Sequence, residues 1–149
     1  MEPAIVSDAS CLIGLSNIGK LDILSKLYSK IIIPPAVERE YGGRVPFTEV
    51  VAPSDNDLVR SLGLLLGAGE SEAIALAMEL TAAIILDDKK ARTVAEGMGL
   101  HPVGTVGILL LAKRERLIQS LTQTIGELEQ NGFYINGSVK QQAIRLAGE

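Results

Sequence analysis

The chain contains one cysteine, Cys11, one histidine, His101, and no tryptophan among its 149 residues. A single cysteine excludes an internal disulfide and a cysteine-rich zinc site. A single histidine excludes a zinc site with two histidine ligands. We expect Cys11, in the first helix and without a neighbouring histidine in the sequence, to be a small buried hydrophobic residue.

Several common signals are also missing. Neither GxGxxG nor GxxxxGK[ST] occurs, which removes the strongest nucleotide-binding patterns. No apolar run approaches membrane-spanning length, and the N-terminal MEPAIVSDAS has no cationic region before its apolar residues. With the lone cysteine, this predicts a cytoplasmic protein that does not enter a membrane.

The composition is that of one ordinary domain covering residues 1–149. Hydrophobic residues make up 47% of the chain and aromatic residues only 3%, so Leu, Ile, Val and Ala form the core. This favours helices layered on a parallel sheet over a sandwich of two sheets. The net charge of −4 argues against a general polyanion binder but leaves room for a local basic patch.

Apolar runs alternate with helical patterns along the chain, which predicts an α/β fold with a mainly parallel sheet. The expected strands cover 4–7, 30–33, the apolar residues before Asp87, and 100–103, with a short strand at 50–51. The expected helices cover 12–27 with a break at Gly19, then 36–41, 55–66, 70–80, 91–98, 108–112, 120–131 and 138–147.

Carboxylates follow two of these strands at the point where each strand ends. Asp8 follows the first strand, and Asp87 and Asp88 follow the apolar run of TAAIILDDKKAR. Because ligands bind at the carboxyl ends of parallel strands, these acids are expected to converge closely enough to hold a cation. The alternative is that Asp87 and Asp88 are solvated and that one of them caps the next helix.

Two pairs of glutamates lie near the same edge. Glu38 and Glu40 occupy one short helix, and Glu70 and Glu72 open the helix 70–80. Residues two apart on a helix point about 200° away from each other, so one member of each pair is expected to face a shared site. The sequence does not choose between Glu70 and Glu72. We expect Ser10 to cap the first helix, although it could also contact a carboxylate or a water.

An all-oxygen set of this kind suits Mg²⁺ or Mn²⁺ and not zinc. Such centres hydrolyse phosphodiesters, because the ions activate water and polarise the phosphoryl oxygen. Lys89, Lys90 and Arg92 would form a basic rim that steers a polyanion to the pocket. The turn Gly104–Gly107, which contains Thr105, could hold a phosphate through its N–H groups, although close packing is the commoner role of such a turn.

The segments IVSDASCLIGL, IIIPPAVEREY, LGAGESEAIALAMEL and AAIILDDKKAR followed by GLHPVGTVGILLLAK resemble, in order and spacing, the PIN-domain family. The resemblance covers nearly the whole chain and is greatest to the compact prokaryotic branch related to VapC-type toxin ribonucleases. It implies a three-layer α/β/α sandwich, an Mg²⁺- or Mn²⁺-dependent ribonuclease centre and RNA as substrate. It also implies self-association as a homodimer and a protein antitoxin as partner.

By the same resemblance, the catalytic acids are Asp8, Glu40, Glu72 and Asp88. Glu72 stands where the family has an aspartate at the start of the deep helix, and Glu70 could share its role. Asp88 matches the fourth acid, with Leu86 in place of a threonine and Asp87 as an additional acid.

Two other functions are compatible with the same residues. One is a catalytically silent PIN-like module that binds RNA or a protein through the pocket. The other is a receiver-type phosphoryl-transfer domain, which also uses clustered acids on a parallel sheet. The receiver pattern is disfavoured because its acid pair follows the first strand, whereas this chain has its pair after a late strand.

Overall fold

The computed structural model describes residues 2–149 and contains a parallel sheet with the strand order β3-β2-β1-β4. The strands are β1 (Glu2–Ser7), β2 (Tyr28–Ile33), β3 (Thr48–Val50) and β4 (Ala83–Ile85). In the register of the sheet, Val6 pairs with Ile32 on one side and with Ile84 on the other. The residues that follow β1 and β4 therefore emerge side by side at one edge of the sheet.

Helices connect and flank the strands. They are α1 (Ala9–Asn17), α2 (Asp22–Leu27), α3 (Pro35–Tyr41), α4 (Asn56–Gly63), α5 (Ala68–Leu80), α6 (Lys89–Gly97), α7 (Thr105–Arg114), α8 (Leu121–Gln130) and α9 (Gly137–Leu146). The predicted α/β class with a parallel sheet is confirmed, and so is the helix break near Gly19. No helix within residues 2–149 is both long enough and apolar enough to cross a membrane.

The core lies between the sheet and the helices. Helix α5 contacts β1 and β4 and is buried along most of its length, consistent with its apolar sequence. The largest fully buried side chains come from the strands and from α1, α5 and α7, and include Ile5, Leu12, Ile33, Ile74, Leu76, Ile84, Leu86 and Ile108. This core sets the positions of the helix ends that border the carboxyl edge of the sheet.

Two predicted elements differ in the structure. The strand expected at 100–103 is reduced to one bridge, in which Val103 pairs with Ile85. Pro102 cannot donate a ladder hydrogen bond, which limits this segment to a single pairing residue. The helix expected to reach Leu66 ends at Gly63, and Leu64 and Leu65, which were expected within it, are exposed.

Candidate metal centre

Asp8 and Asp87 are in direct contact at the carboxyl ends of β1 and β4. The backbone N–H of Asp87 donates to Oδ2 of Asp8 over 2.9 Å. Oδ1 of Asp8 accepts from the N–H of Cys11 over 3.0 Å and thereby caps α1. Asp8 is therefore the helix cap, which corrects the expectation that Ser10 has this role.

Asp87 is held by the start of α7. Its Oδ1 accepts from the backbone N–H of Thr105 over 2.8 Å, and its Oδ2 accepts from the Thr105 hydroxyl over 2.6 Å. Gly104 leaves space beside this pair, because a Cβ there would lie 2.8 Å from Nη1 of Arg92 and 3.2 Å from Oδ1 of Asp87. Thr105 is fully buried, so its hydroxyl positions Asp87 and is not exposed to a substrate.

Asp88 is exposed and caps α6, because its Oδ2 accepts from the N–H of Ala91 over 2.9 Å. The sequence left open whether Asp87 and Asp88 hold a cation or whether one of them caps a helix. Asp88 caps a helix and also lines a cavity together with Asp87, so the two interpretations are compatible.

Two glutamates reach the same edge from α3 and α5. Oε1 of Glu40 accepts from the N–H of Gly69 over 2.9 Å, and Oε1 of Glu70 accepts from the N–H of Gly67 over 3.3 Å. A Cβ on Gly69 would lie 2.5 Å from Oε1 of Glu40, so only glycine lets this carboxylate rest on the first turn of α5.

Glu72 points elsewhere. Its Oε1 accepts from the N–H of Ala36 over 3.1 Å, and its Oε2 lies 3.8 Å from Nη2 of Arg39. Since Glu70 faces the carboxyl edge of the sheet, Glu72 is turned about 200° from it, onto α3. The structure thus brings Asp8, Glu40 and Asp88 together with Glu70, and it leaves Glu72 outside this group.

Asp8 and four other acidic residues line a cavity of about 310 Å³, which we call the acidic pocket. It is lined by Asp8, Ala9, Ser10, Glu40, Glu70, Asp87 and Asp88. Each of its five carboxylates accepts a hydrogen bond from a backbone N–H at the start of α1, α5, α6 or α7. The positive ends of four helices therefore offset part of the negative charge.

Burial of the carboxylates, with charge repulsion as a smaller cause, raises the affinity of the pocket for protons. Burial, followed by the charge of Asp87, raises the pKa of Asp8 from 3.8 to about 7, although hydrogen bonds from two backbone N–H groups oppose this shift. Burial also raises the pKa of Asp87, against the effects of Thr105 and Arg92. Burial and the charge of Asp88 raise the pKa of Glu70. A bound cation would take over the role of these protons.

The donor set fits a hard divalent cation in its chemistry. All donors are carboxylate oxygens, and the second oxygens of Glu40, Glu70 and Asp88 make no hydrogen bond to another described residue. Within residues 2–149, no three acidic, histidine or cysteine side chains are already spaced as ligands of one ion. Holding a cation would therefore require side-chain rotations in the acidic pocket.

The predicted basic residues separate into two groups. Lys89 and Arg92 line a second cavity of about 860 Å³, the long cleft, which shares Asp87 and Asp88 with the acidic pocket. Lys90 is exposed but does not line either cavity. Ser10 is exposed on α1 and lines the acidic pocket.

Sequence reasoning missed Gly69 as a part of the site. The helix was expected to start at residue 70, whereas Ala68 and Gly69 form the first turn of α5. The available signal was a run of small residues directly before an acidic helix start, which permits close approach of another side chain.

Comparison with protein families agrees with the α/β fold described above. A family model described as a PIN domain matches residues 4–149, which is nearly the whole chain. A search of curated proteins gives no match.

Proposed function

Because this chain belongs to the PIN-domain family, we propose that it is a divalent-metal-dependent ribonuclease that hydrolyses RNA phosphodiesters in the acidic pocket. PIN domains are generally nucleases, bind nucleic acids and typically use divalent metals. The observation that carries the proposal is the convergence of Asp8, Glu40, Glu70, Asp87 and Asp88 on one cavity at the carboxyl edge of the sheet. Mg²⁺ or Mn²⁺ is the proposed ion, since every donor is an oxygen.

The roles of the side chains follow from their contacts. Glu40, Glu70 and Asp88 each offer a carboxylate oxygen that makes no hydrogen bond within residues 2–149, and Asp8 adds the buried charge at the base of the pocket. A divalent cation held there supplies Lewis acidity that activates water and offsets the charge of the phosphodiester. Thr105 keeps Asp87 in place through two hydrogen bonds.

The acidic pocket alone would repel RNA, so the neighbouring cations matter. Lys89 and Arg92 lie along the long cleft, next to Asp87 and Asp88, where they can pair with phosphates that flank the reacting one. Burial and the charge of Asp88 raise the pKa of Glu70 in the metal-free pocket, and a bound cation would lower it again.

Titration of Mn²⁺ into the wild type and the Asp88→Asn variant by calorimetry, alongside an RNA cleavage assay, tests the proposal. We expect the wild type to bind Mn²⁺ and to cleave RNA, and Asp88→Asn and Asp8→Asn to lose both properties. Asp57→Asn is the matched control, because Asp57 is an exposed acid on α4 that lines no part of the pocket. Absence of binding at millimolar Mn²⁺ would overturn the proposal.

We extend the proposal to partners on the resemblance to VapC-type toxins: the chain is the toxin of a toxin–antitoxin pair, pairs with a protein antitoxin and forms a homodimer. Growth arrest on induced expression of the wild type, but not of Asp8→Asn, would support the toxin role. Light scattering on the purified protein would test the dimer, and a monomeric mass would refute it.

A catalytically silent PIN-like binding module is the second candidate. It is favoured by one observation, that no three acids within residues 2–149 are already spaced to hold an ion. It requires equal RNA affinity with and without Mn²⁺ and no cleavage. A metal-dependent cleavage product would exclude it.

A further inference from the structure

A third cavity adjoins the acidic pocket and also borders the long cleft at Tyr134. It has a volume of about 440 Å³ and shares Ala9, Ser10 and Glu40 with the acidic pocket. We call it the side cleft, and its outer wall is formed by Ile13, Asn17, Asn131, Phe133 and Tyr134. A polynucleotide whose phosphate lies in the acidic pocket can therefore place a neighbouring unit in the side cleft.

The aromatic wall of the side cleft is built into the fold. Helix α8 ends at Gln130, Gly132 follows with a φ of +87°, and the N–H of Phe133 donates to the carbonyl of Leu128 over 3.0 Å. This turn directs Phe133 onto α1, where a Cβ on Gly14 would lie 2.8 Å from Cδ2 of the ring. With Phe133 anchored, the adjacent Tyr134 is displayed at the rim and is 85% exposed.

The lining matches the chemistry of a nucleobase. Tyr134 offers a ring face and Ile13, 37% exposed, an apolar edge, so both faces of a planar base could be covered. Asn17 and Asn131 are exposed amides on the same cavity, and amides pair with base edges that carry both a donor and an acceptor, adenine above all. A sugar–phosphate backbone alone would need cations here, and among its lining residues the side cleft has none.

We propose that the side cleft is a nucleobase subsite for single-stranded RNA, in which Tyr134 stacks on an unpaired base and Asn17 and Asn131 contact its edge. This rests on the proposed function and names its substrate as a single strand that favours adenine next to the reacting phosphate. Tyr134 also lines the long cleft, where Lys89 and Arg92 supply positive charge. One strand can thus pass from the long cleft across the acidic pocket to the side cleft.

The test measures binding apart from cleavage. In the Asp8→Asn background, fluorescence anisotropy with labelled oligo(A), oligo(U) and an RNA hairpin gives the affinity without consumption of the probe. We expect Tyr134→Leu to weaken oligo(A) binding about 5- to 100-fold, the usual value of one stacked base. Tyr134→Phe keeps the ring face and should restore most of that loss.

Phe47→Leu is the matched control, because Phe47 is an aromatic residue that is 61% exposed and lines neither cleft. We expect it to bind within about twofold of the parent, and we expect Asn17→Leu and Asn131→Leu to reduce the preference for oligo(A) over oligo(U). Unchanged affinity in Tyr134→Leu, or a hairpin bound as tightly as oligo(A), would overturn the subsite.

The two proposals fail in different ways. Cleavage by the wild type with no effect of Tyr134→Leu on binding refutes the subsite and leaves the nuclease. Absence of cleavage by the wild type, together with Tyr134-dependent binding of oligo(A), refutes the nuclease and leaves the subsite.

Discussion

The backbone N–H of Asp87 donates a 2.9 Å hydrogen bond to Oδ2 of Asp8, across 79 positions of sequence. The contact exists because β1 and β4 are parallel neighbours in the sheet, with Ser7 paired to Ile85. It brings the carboxylates of Asp8 and Asp87 together where both are largely shielded from solvent. The raised pKa values of the acidic pocket follow from this placement.

The stability of the metal-free protein should fall as the pH rises from about 4 to about 7. Burial raises the pKa of Asp8 from 3.8 to about 7, so the unfolded chain loses this proton first and the folded state keeps it longer. The contribution of Asp8 to the free energy of unfolding is therefore fully present below about pH 4 and is lost as the pH approaches 7. Chemical denaturation at several pH values, with chelator present, measures this slope.

Asp8→Asn is the control for that slope, because an amide does not titrate in this range. The variant loses an acceptor for the N–H of Asp87, so its absolute stability can differ from that of the wild type. Its dependence on pH should nevertheless be flatter between pH 4 and 7. A slope equal to that of the wild type would refute the raised pKa.

Gly69→Ala should disturb the acidic pocket through Glu40. The new Cβ would lie 2.5 Å from Oε1 and 2.7 Å from Oε2 of Glu40, so the carboxylate must move away. We expect a loss of RNA cleavage of about tenfold to hundredfold, since a displacement near 1 Å has effects of that size. Cleavage rates under saturating Mn²⁺ provide the measurement.

Gly126→Ala is the matched control for Gly69→Ala. Gly126 lies within α8, and a Cβ there meets no atom within 4 Å among the described residues. We expect it to raise the free energy of unfolding by about 0.5–1 kcal/mol and to leave cleavage unchanged. If both glycine variants cleave RNA at the wild-type rate, the proposed role of Glu40 in the reaction is wrong.

Glu70→Gln and Glu72→Gln should separate the two glutamates of α5. Glu70 lines the acidic pocket, so its loss of charge should weaken Mn²⁺ binding at least about tenfold. Glu72 accepts from the N–H of Ala36 and pairs with the exposed Arg39, and a glutamine keeps the first contact. We expect Mn²⁺ affinity within about twofold of wild type for Glu72→Gln and a stability change below about 1 kcal/mol. Weaker Mn²⁺ binding in Glu72→Gln but not in Glu70→Gln would favour Glu72, the residue that the family resemblance implies.

Thr105→Val should weaken metal binding, although Thr105 is buried and does not line the acidic pocket. The variant removes the 2.6 Å hydrogen bond to Oδ2 of Asp87 and keeps the backbone bond to Oδ1. We expect about tenfold to hundredfold weaker Mn²⁺ binding, the usual effect of losing a residue that orients a ligand, and about 1–2 kcal/mol lower stability.

Thr124→Val isolates the metal effect from the stability effect. Thr124 is also buried, and its hydroxyl donates to the carbonyl of Ser120, the residue that caps α8, away from the acidic pocket. Thr124→Val should lower the stability about as much as Thr105→Val does, without any change in Mn²⁺ affinity. Equal Mn²⁺ affinities for Thr105→Val and the wild type would show that metal binding does not need the hydrogen bond from the Thr105 hydroxyl to Asp87.

Local pattern predicted most of the elements and the edge at which the acids meet. Apolar runs ended by Asp8 and by Asp87-Asp88, alternating with helical spacing, predict parallel strands whose carboxyl ends share an edge. The structure confirms that arrangement in the pairing of β1 with β4. The strand expected at 100–103 failed because Pro102 limits pairing, a local feature that was available in the sequence.

The sequence by itself determined the fold class and the supply of carboxylates, since both depend on residue type and short-range periodicity. Only the tertiary structure decided that Glu70 and not Glu72 enters the pocket, that Glu40 rests on Gly69, and that Phe133 anchors Tyr134 beside it. These outcomes depend on the rotation of α5 against α3 and of α8 against α1. Rotation of a helix is set by how whole side-chain surfaces fit together, and no short window of sequence contains both surfaces.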